Sequence, residues 1–412
     1  MKPIDEMLGQ AALAEALAPD RYDELQGLIE LFSRFATISG VTGKERPVAL
    51  EVKQYVKSYP LQVFEDEAGT SFGGSQGNLI LVPDQHNPDA PALAFLAHLD
   101  TVRDTGKTHV LVKEGRITSA GNTQLGADNR WGLTLLLRLI DLYFELPEEA
   151  RPNIIFVCTV GEEAGMLGAK QLDLKPWNVE MAMVLDSALR PGAYIESCAG
   201  MSLFEAEFTG RAAHSAVRPS DGLNAIAMAA EALSVIFMQP LPKGVTANVG
   251  GISGGDLTVS NVIPAGCRFN GEVRAVKGNL LKAVLESWEA ICRSVAEKSG
   301  GSLYFEVTPD FAPYQHEADS PHVCFVRNAL AQAGLEAVGV TYSGGSDANA
   351  LAEAGIPAVN LGIGAQKPHA DEEFVLLEDM LAGMDMIRAL LAQASQRFKA
   401  QSPSSETQHI HE

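Results

Sequence analysis

Two adjacent carboxylates, Glu162 and Glu163, follow an apolar, β-branched run, NIIFVCTV, that predicts a buried strand. Like charges side by side repel, and removing them from water is costly. Either solvent or a cation must offset them at that strand end. Other predicted strands end in a similar way. ALAFLA is followed by His98-Leu99-Asp100, MAMVL by Asp186, and IPAVNLGIG, after a short loop, by His369. GADN sets Asp128 at the N-terminus of a predicted helix, RWGLTLLL. In an open α/β sheet the carboxyl ends of the parallel strands form one edge, and ligands bind there. Five segments thus deliver imidazole nitrogen and carboxylate oxygen, without sulfur, to one edge, and that is the composition of a metal site.

Each residue has a plainer reading when taken alone. Asp128 could cap a helix, Asp186 could end a strand in a turn, His98 could be a satisfied core histidine, and the Glu pair could be a solvated loop. Their coincidence at five separate element ends carries the argument. Two histidines and three carboxylates can serve two ions if one carboxylate bridges. Two ions about 3.5–4 Å apart form a hydrolytic arrangement. A further carboxylate must then take the proton from the attacking water. One member of the Glu pair can be a ligand and the other that base.

The elements that would position these residues alternate. The stretch RYDELQGLIELFSRFATI has helical spacing, and RWGLTLLLRLIDLYFEL predicts a strong helix. Between such helices lie the short apolar runs GNLILV, ALAFLA, NIIFVCTV, MAMVLD and IPAVNLG. This predicts an α/β fold with a mostly parallel sheet. The middle of the chain changes character. SLFEAEFTG, CRFNGEVRAV and SLYFEVTPD alternate, while GLNAIAMAAEALSVIFMQ and NLLKAVLESWEAICRSVAEKSG are helical. The expected organisation is a discontinuous catalytic domain over 1–206 and 308–400, an inserted α+β unit over 207–307, and a polar, disordered tail over 401–412. His409 and His411 in that tail read as decoration rather than ligands.

The 412 residues are too many for one ordinary domain, and the 46% hydrophobic and 20% charged content is globular. With 52 acidic against 31 basic residues, the net charge of -21 argues against a nucleic-acid partner. No apolar run of about 18 residues predicts a membrane span. The start lacks the pattern of a secretory signal. The five cysteines are scattered and contain no CxxC pair, so reduced thiols in a cytoplasmic protein are expected. No glycine-rich phosphate loop follows a strand, which disfavours a nucleotide-binding α/β protein.

From about residue 25 to 395 an ordered series of motifs is present: AHLDTV, GADNRWG, VGEEAGMLGA, LDSA, GRAAHSAVRPSDGLNAI, SNVIPAGCRFNGEVRA and SGGSDANALAEAGIPAVNLGIGAQKPHADEEF. The series resembles the zinc exopeptidase family (clan MH) of peptidase T, carboxypeptidase G, acetylornithine deacetylase and succinyl-diaminopimelate desuccinylase. GRAAH, GEVRA and GGSDAN look closest to the peptidase T-like branch. The resemblance implies a phosphorylase/hydrolase-like catalytic domain and two zinc ions per chain, with cobalt or manganese as substitutes. His98, Asp128 and Asp186 would hold one ion and Asp128, Glu163 and His369 the other, with Asp128 bridging. Glu162 would be the general base, and Asp100 would orient His98. The inserted unit would be a lid and dimerisation domain, giving a homodimer in which His214 reaches the substrate carbonyl from the partner copy. Asn261, Arg274, Gly345 with Gly344, and Asp347 would contact substrate, Arg274 by gripping a carboxylate. The implied substrates are small peptides cleaved by a tripeptide aminopeptidase. A carboxypeptidase, a dipeptidase and an N-acyl-amino-acid deacylase share the same metal chemistry. A metal-binding scaffold without catalysis is the distant alternative. Asn129, where many members have a second Asp, and Trp131 depart from the common pattern without removing a ligand.

Overall fold

The computed structural model describes residues 17–401 except Asn122. The first sixteen residues and the tail 402–412, with His409 and His411, lie outside the described residues. The chain forms two compact units. One comprises the chain up to Glu196, residues 316–340 and the chain from Ser346; the other comprises residues 197–315 and 341–345. The expected borders near 207 and 307 therefore shift outward. Glu205 pairs with Glu306 in the middle of two long antiparallel strands, Gly200–Thr209 and Ser302–Phe311. A border at 207 would cut a continuous hydrogen-bonded ladder, so the unit takes both strands whole.

The first unit is built on a sheet with the order Leu61–Glu65, Leu79–Pro83, Ile154–Thr159, Ala92–His98, Val179–Ser187 and Ala358–Gly362. The last four run parallel to one another. They are the near-continuous apolar runs read from the sequence, and Ile154–Thr159, Ala92–His98 and Ala358–Gly362 are buried throughout. Burial on both faces is the condition under which parallel strands are stable. Register sets the functional edge. His98 pairs with Thr159, three residues before Glu162. Leu96 pairs with Val184, so His98 and Asp186 reach the same level two residues further on.

The helix Ala127–Glu145 lies in the core of this unit, with Trp131, Leu133, Leu135, Leu136 and Leu137 all buried. Trp131 explains one departure from the family pattern. Its ring meets Phe32 edge-on at 6.4 Å, and its Nε1–H donates to the Ile363 carbonyl at 2.8 Å. The bulky ring thereby ties this helix to the end of the strand that leads toward His369. A second, small antiparallel sheet joins Val110–Lys113, Arg116–Ser119, Phe374–Leu376 and Ala365–Gln366. It was not expected from the sequence, because its strands are too short to show a period. It anchors both ends of the loop that carries His369.

The second unit has a four-stranded antiparallel sheet in the order Val245–Gly254, Gly266–Ala275, Gly200–Thr209 and Ser302–Phe311. The helices Ala225–Met238 and Gly278–Ser299 pack with it around Phe204, Phe208, Phe269 and Trp288. Gly200–Thr209 alternates buried and less buried residues, as its sequence predicts. The edge strand Val245–Gly254 is the exception to legibility. Its burial alternates from Val245 to Gly251, but Gly250, Gly251 and a register shift between Val249 and Gly251 interrupt the pattern of side chains in the sequence. Phe237, Met238, Ile252 and Leu257 of this unit are exposed.

Candidate metal centre

Asp128 lies at the centre of the cluster. Its Oδ1 stands 3.2 Å from Nε2 of His98, and its Oδ2 stands 3.3 Å from Nε2 of His369. Asp186 Oδ1 completes one group at 3.2 Å from His98 Nε2. Glu163 Oε2 completes the other at 3.0 Å from His369 Nε2. Glu162 Oε2 is 3.9 Å from His98 Nε2, next to both groups without the same close contact. His98 and Asp186 are at strand ends. Asp128 is in the first turn of Ala127–Glu145, where its own torsions are not helical. His369 sits at φ 66°, a left-handed conformation rare outside glycine, which indicates that its loop is held in place.

The charges of the cluster depend on one another. Burial opposes a charge on His98, but Asp186 and the contacts with Asp100 and Asp128 outweigh it and hold the imidazole well above its ordinary value. His369 is pushed up to about 10 by Asp128 and Glu163. Burial, and then the charge of Asp186, raise Glu162 well above the carboxylate range. Burial likewise raises Glu163 and Asp186. Asp128 is lowered: burial opposes its charge, but the contacts with His369 and His98 prevail. So many carboxylates in one buried place call for positive charge.

A divalent cation fits that demand. Donor atoms of His98, Asp128 and Glu163 all lie within 4.8 Å of one another. Oε1 of Glu163 is buried and has no hydrogen-bond partner. Neighbouring ligands on a tetrahedral zinc, each about 2.0–2.1 Å from it, are about 3.4 Å apart. The donor separations in both groups are close to that spacing.

Comparison with known proteins points the same way. A family model described as a peptidase dimerisation domain matches residues 199–300, and that of peptidase family M28 matches residues 78–215. The chain is 28% identical to the uncharacterized protein YqjE of Bacillus subtilis, over 89% of this chain and 98% of that one. It is similar to the crystal structure of a tripeptidase from Staphylococcus aureus, with a TM-score of 0.84 and 26% identity over 90% of this chain and 99% of that one. The aminopeptidase PepT of Bacillus cereus gives a TM-score of 0.81 and 26% identity over 90% and 98% of the two chains. The matched family models and both solved structures are of peptidases, and they support a metallopeptidase that resembles the peptidase T enzymes.

In this chain the cluster rests on a layer of buried acceptors. Asp100 is fully buried and lies 3.3 Å from His98 Nδ1. Its Oδ1 accepts from the backbone N–H of Glu162 at 3.1 Å and its Oδ2 from that of Glu163 at 3.2 Å. Thr42 Oγ1 donates to the same carboxylate at 2.7 Å. Several contributors escape sequence reasoning. Thr42 and Glu45 lie in SGVTGKE, which has no period to mark it. Asn78 holds Val160 through Oδ1. Glu373 is hidden in the acidic run DEEF, four residues after His369. Asn129, the other departure from the family pattern, accepts from Gly132 N–H through Oδ1 at 3.0 Å.

The first unit thus brings together His98, Asp100, Asp128, Glu162, Glu163, Asp186 and His369. His214, Asn261, Arg274 and Gly345 belong to the second unit. His214 is exposed, and its Nδ1 accepts from the N–H groups of Ala216 and Val217 at 3.2 and 3.3 Å. That assigns its proton to Nε2. The exposed Asn261 neighbours it, its carbonyl accepting from Ser215 N–H at 2.9 Å.

Three expectations about substrate contacts change. Arg274 already has a carboxylate: Nε and Nη2 donate to Glu272 at 3.0 and 3.1 Å, and Nη1 donates to the Ser343 carbonyl at 3.0 Å. Residues two apart on a strand share a face, which brings the pair together. Asp347 is only 1% exposed, and Thr159 Oγ1 donates to its Oδ2. A capping box between Ser346 and Asn349 starts the helix Asp347–Glu353 and turns Asp347 inward, where burial raises it to about 7. Gly345 has a packing reason to be glycine, since a Cβ there would come within 2.6 Å of the Phe311 ring.

Proposed function

We propose that this chain is a dinuclear exopeptidase that hydrolyses small peptides, with tripeptides bearing a free amino terminus as its first substrate class. The observation that carries the reading is the division of Asp128, one oxygen toward His98 and the other toward His369. His98, Asp128 and Asp186 would hold one Zn2+ and Asp128, Glu163 and His369 a second. When bound, such a pair supplies Lewis-acid polarisation of the scissile carbonyl and acidifies a water.

The remaining work falls to side chains. Glu162 takes the proton from the attacking water and passes it to the leaving amine. Its backbone is fixed by Asp100, so its carboxylate is presented from a rigid turn. Asp100 also orients His98 through Nδ1, leaving Nε2 for the metal. His214 donates from Nε2 to the substrate carbonyl oxygen as negative charge develops on it. The exposed apolar residues Phe237, Met238 and Ile252, together with the matched peptidase dimerisation domain, support a homodimer through the second unit, with His214 acting on the partner copy's substrate. All five cysteines are free thiols, in keeping with a cytoplasmic enzyme. No helix among the described residues is long and apolar enough to cross a membrane.

The test joins metal content to activity. Chelator-treated protein is assayed on tripeptides, dipeptides, amidated peptides and N-acyl amino acids, then titrated with zinc, cobalt or manganese. Activity on tripeptides that returns with about two ions per chain is the expected result. Cleavage of N-acyl amino acids alone would move the enzyme to the deacylases. Full activity without metal would sink the proposal.

A further inference from the structure

Four consecutive backbone N–H groups, from Val160 to Glu163, all end on side chains. Val160 donates to Asn78 Oδ1 and Gly161 to Glu45 Oε1, both at 3.1 Å, and Glu162 and Glu163 donate to Asp100. Glu45 is fully buried, and the same Oε1 also accepts from Gly43 N–H at 2.8 Å. Glu373, also fully buried, does the same on the other side of the cluster. Its Oε2 accepts from Gly126 N–H at 2.7 Å and its Oε1 from Asp128 N–H at 2.9 Å.

Resting on the dinuclear reading above, we infer that Glu45 and Glu373 are positioning residues, which set the two ligand-bearing turns by gripping their backbone N–H groups. Glu373 has the more direct action. His369 and Glu373 belong to one short segment, and both meet Asp128. The imidazole faces the Oδ2 of Asp128 while the carboxylate holds its N–H. One segment thereby fixes both ends of the bridging residue. Gly126 is left-handed at φ 74°, and a Cβ there would meet Thr105 at 2.8 Å. That turn has little freedom once Glu373 is engaged. Glu45 fixes Gly161, also left-handed at φ 64°, immediately before the Glu pair.

The two acceptor oxygens of Glu373 argue for this role. Filling space and accepting one hydrogen bond needs only a neutral amide, and Asn78 does that at Val160. The Glu373 carboxylate accepts on both oxygens, whereas Glu45 receives both of its N–H groups on Oε1. Glutamine at 373 would keep the shape but turn an NH2 toward one of the two N–H groups it must receive.

The experiment uses full-length, metal-stripped protein carrying Glu373→Gln or Glu45→Ala, with Glu373→Asp as a variant that retains the carboxylate. Three quantities are read: amide hydrogen exchange by segment, zinc affinity by chelator competition, and the apo melting temperature. Steady-state kinetics at saturating zinc follow on the most active tripeptide. Glu373→Gln should speed exchange at Gly126 and Asp128 at least tenfold. It should weaken zinc about 10- to 100-fold, the range for residues behind metal ligands, and lower kcat with KM within about twofold. Glu45→Ala, which removes the acceptor, should speed exchange at Gly161. A lower melting temperature with zinc affinity and local exchange unchanged would assign both residues to stability alone and overturn the inference. So would failure of both position-373 variants to fold. If wild-type protein binds no zinc, the dinuclear reading fails, and local exchange in the apo protein still decides whether the grip exists.

Discussion

Asp100 binds Glu162 by its backbone while facing His98 by its side chain: one carboxylate oxygen, Oδ1, lies 3.1 Å from Glu162 N and 3.3 Å from His98 Nδ1. A proposed ligand and the proposed base are therefore registered to the same atom. Asp100→Asn would leave one acceptor oxygen for four donors, the Glu162 and Glu163 N–H groups, Thr42 Oγ1 and His98 Nδ1, and place an NH2 against one of the N–H groups. We expect zinc affinity to fall about 10- to 100-fold, with kcat falling as well. Chelator competition and kinetics at saturating zinc separate the two effects. Unchanged values for both would remove Asp100 from the machinery.

Glu162 makes no contact with His98 as short as those of Asp128 and Asp186, which separates it from the proposed metal ligands. Glu162→Ala should retain about two zinc ions per chain and lose at least about a thousandfold in kcat, in the range expected for removing a general base. Elemental analysis and turnover are measured on the same sample. A variant that loses one ion along with activity would make Glu162 a ligand instead.

Arg274 is the residue whose expected role the structure alters most. Glu272 occupies two of its donors, so a substrate carboxylate must compete with a resident one. Glu272→Gln removes that competitor. The KM of a free-acid tripeptide should then fall relative to its amide by several-fold, while Arg274→Ala should raise it. Equal changes for acid and amide in both variants would leave Arg274 as an anchor for the Ser343 segment only.

Legibility from sequence followed local signal strength. The parallel strands could be read because burial on both faces demands unbroken apolar runs. Their ends could be read because His and acidic residues seldom follow such runs by chance. Asp128, His369 and the Glu pair stood out for that reason. Glu45 and Glu373 did not, because they act on backbone N–H groups, and any acidic residue in a loop has the same one-dimensional appearance. Asp347 misled for the converse reason: SGGSD reads as an open glycine turn, whereas the capping box that turns Asp347 inward depends on Asn349 in three dimensions. The edge strand Val245–Gly254 was lost to its glycines.

The pair His316 and His322 gives a pH dependence independent of the metal centre. His316 Nε2 lies 3.0 Å from the Ala358 carbonyl, so Nε2 carries its proton and Nδ1 is an acceptor. His322 Nε2 donates to that Nδ1 at 2.9 Å. Protonating His316 would set two N–H groups against each other, so the fold selects neutral rings. Burial lowers His316, and burial followed by the neighbouring His316 pushes His322 down to about 4. Both titrate near 6.5 in the unfolded chain. Between about 4 and 6.5 the unfolded state therefore binds more protons. The stability from the neutral pair is complete above pH 6.5 and is lost as pH falls toward 4. One such group gives a slope of at most about 1.4 kcal/mol per pH unit, and less here because solvent reaches the His322 ring. His322→Gln removes the titrating group. The drop in Tm of apo protein between pH 7.5 and pH 5 should be smaller in this variant than in wild type by about a degree or more. Parallel Tm curves for the two proteins would mean that His322 is protonated in the fold as readily as out of it, and the neutral relay to Ala358 would have to be abandoned.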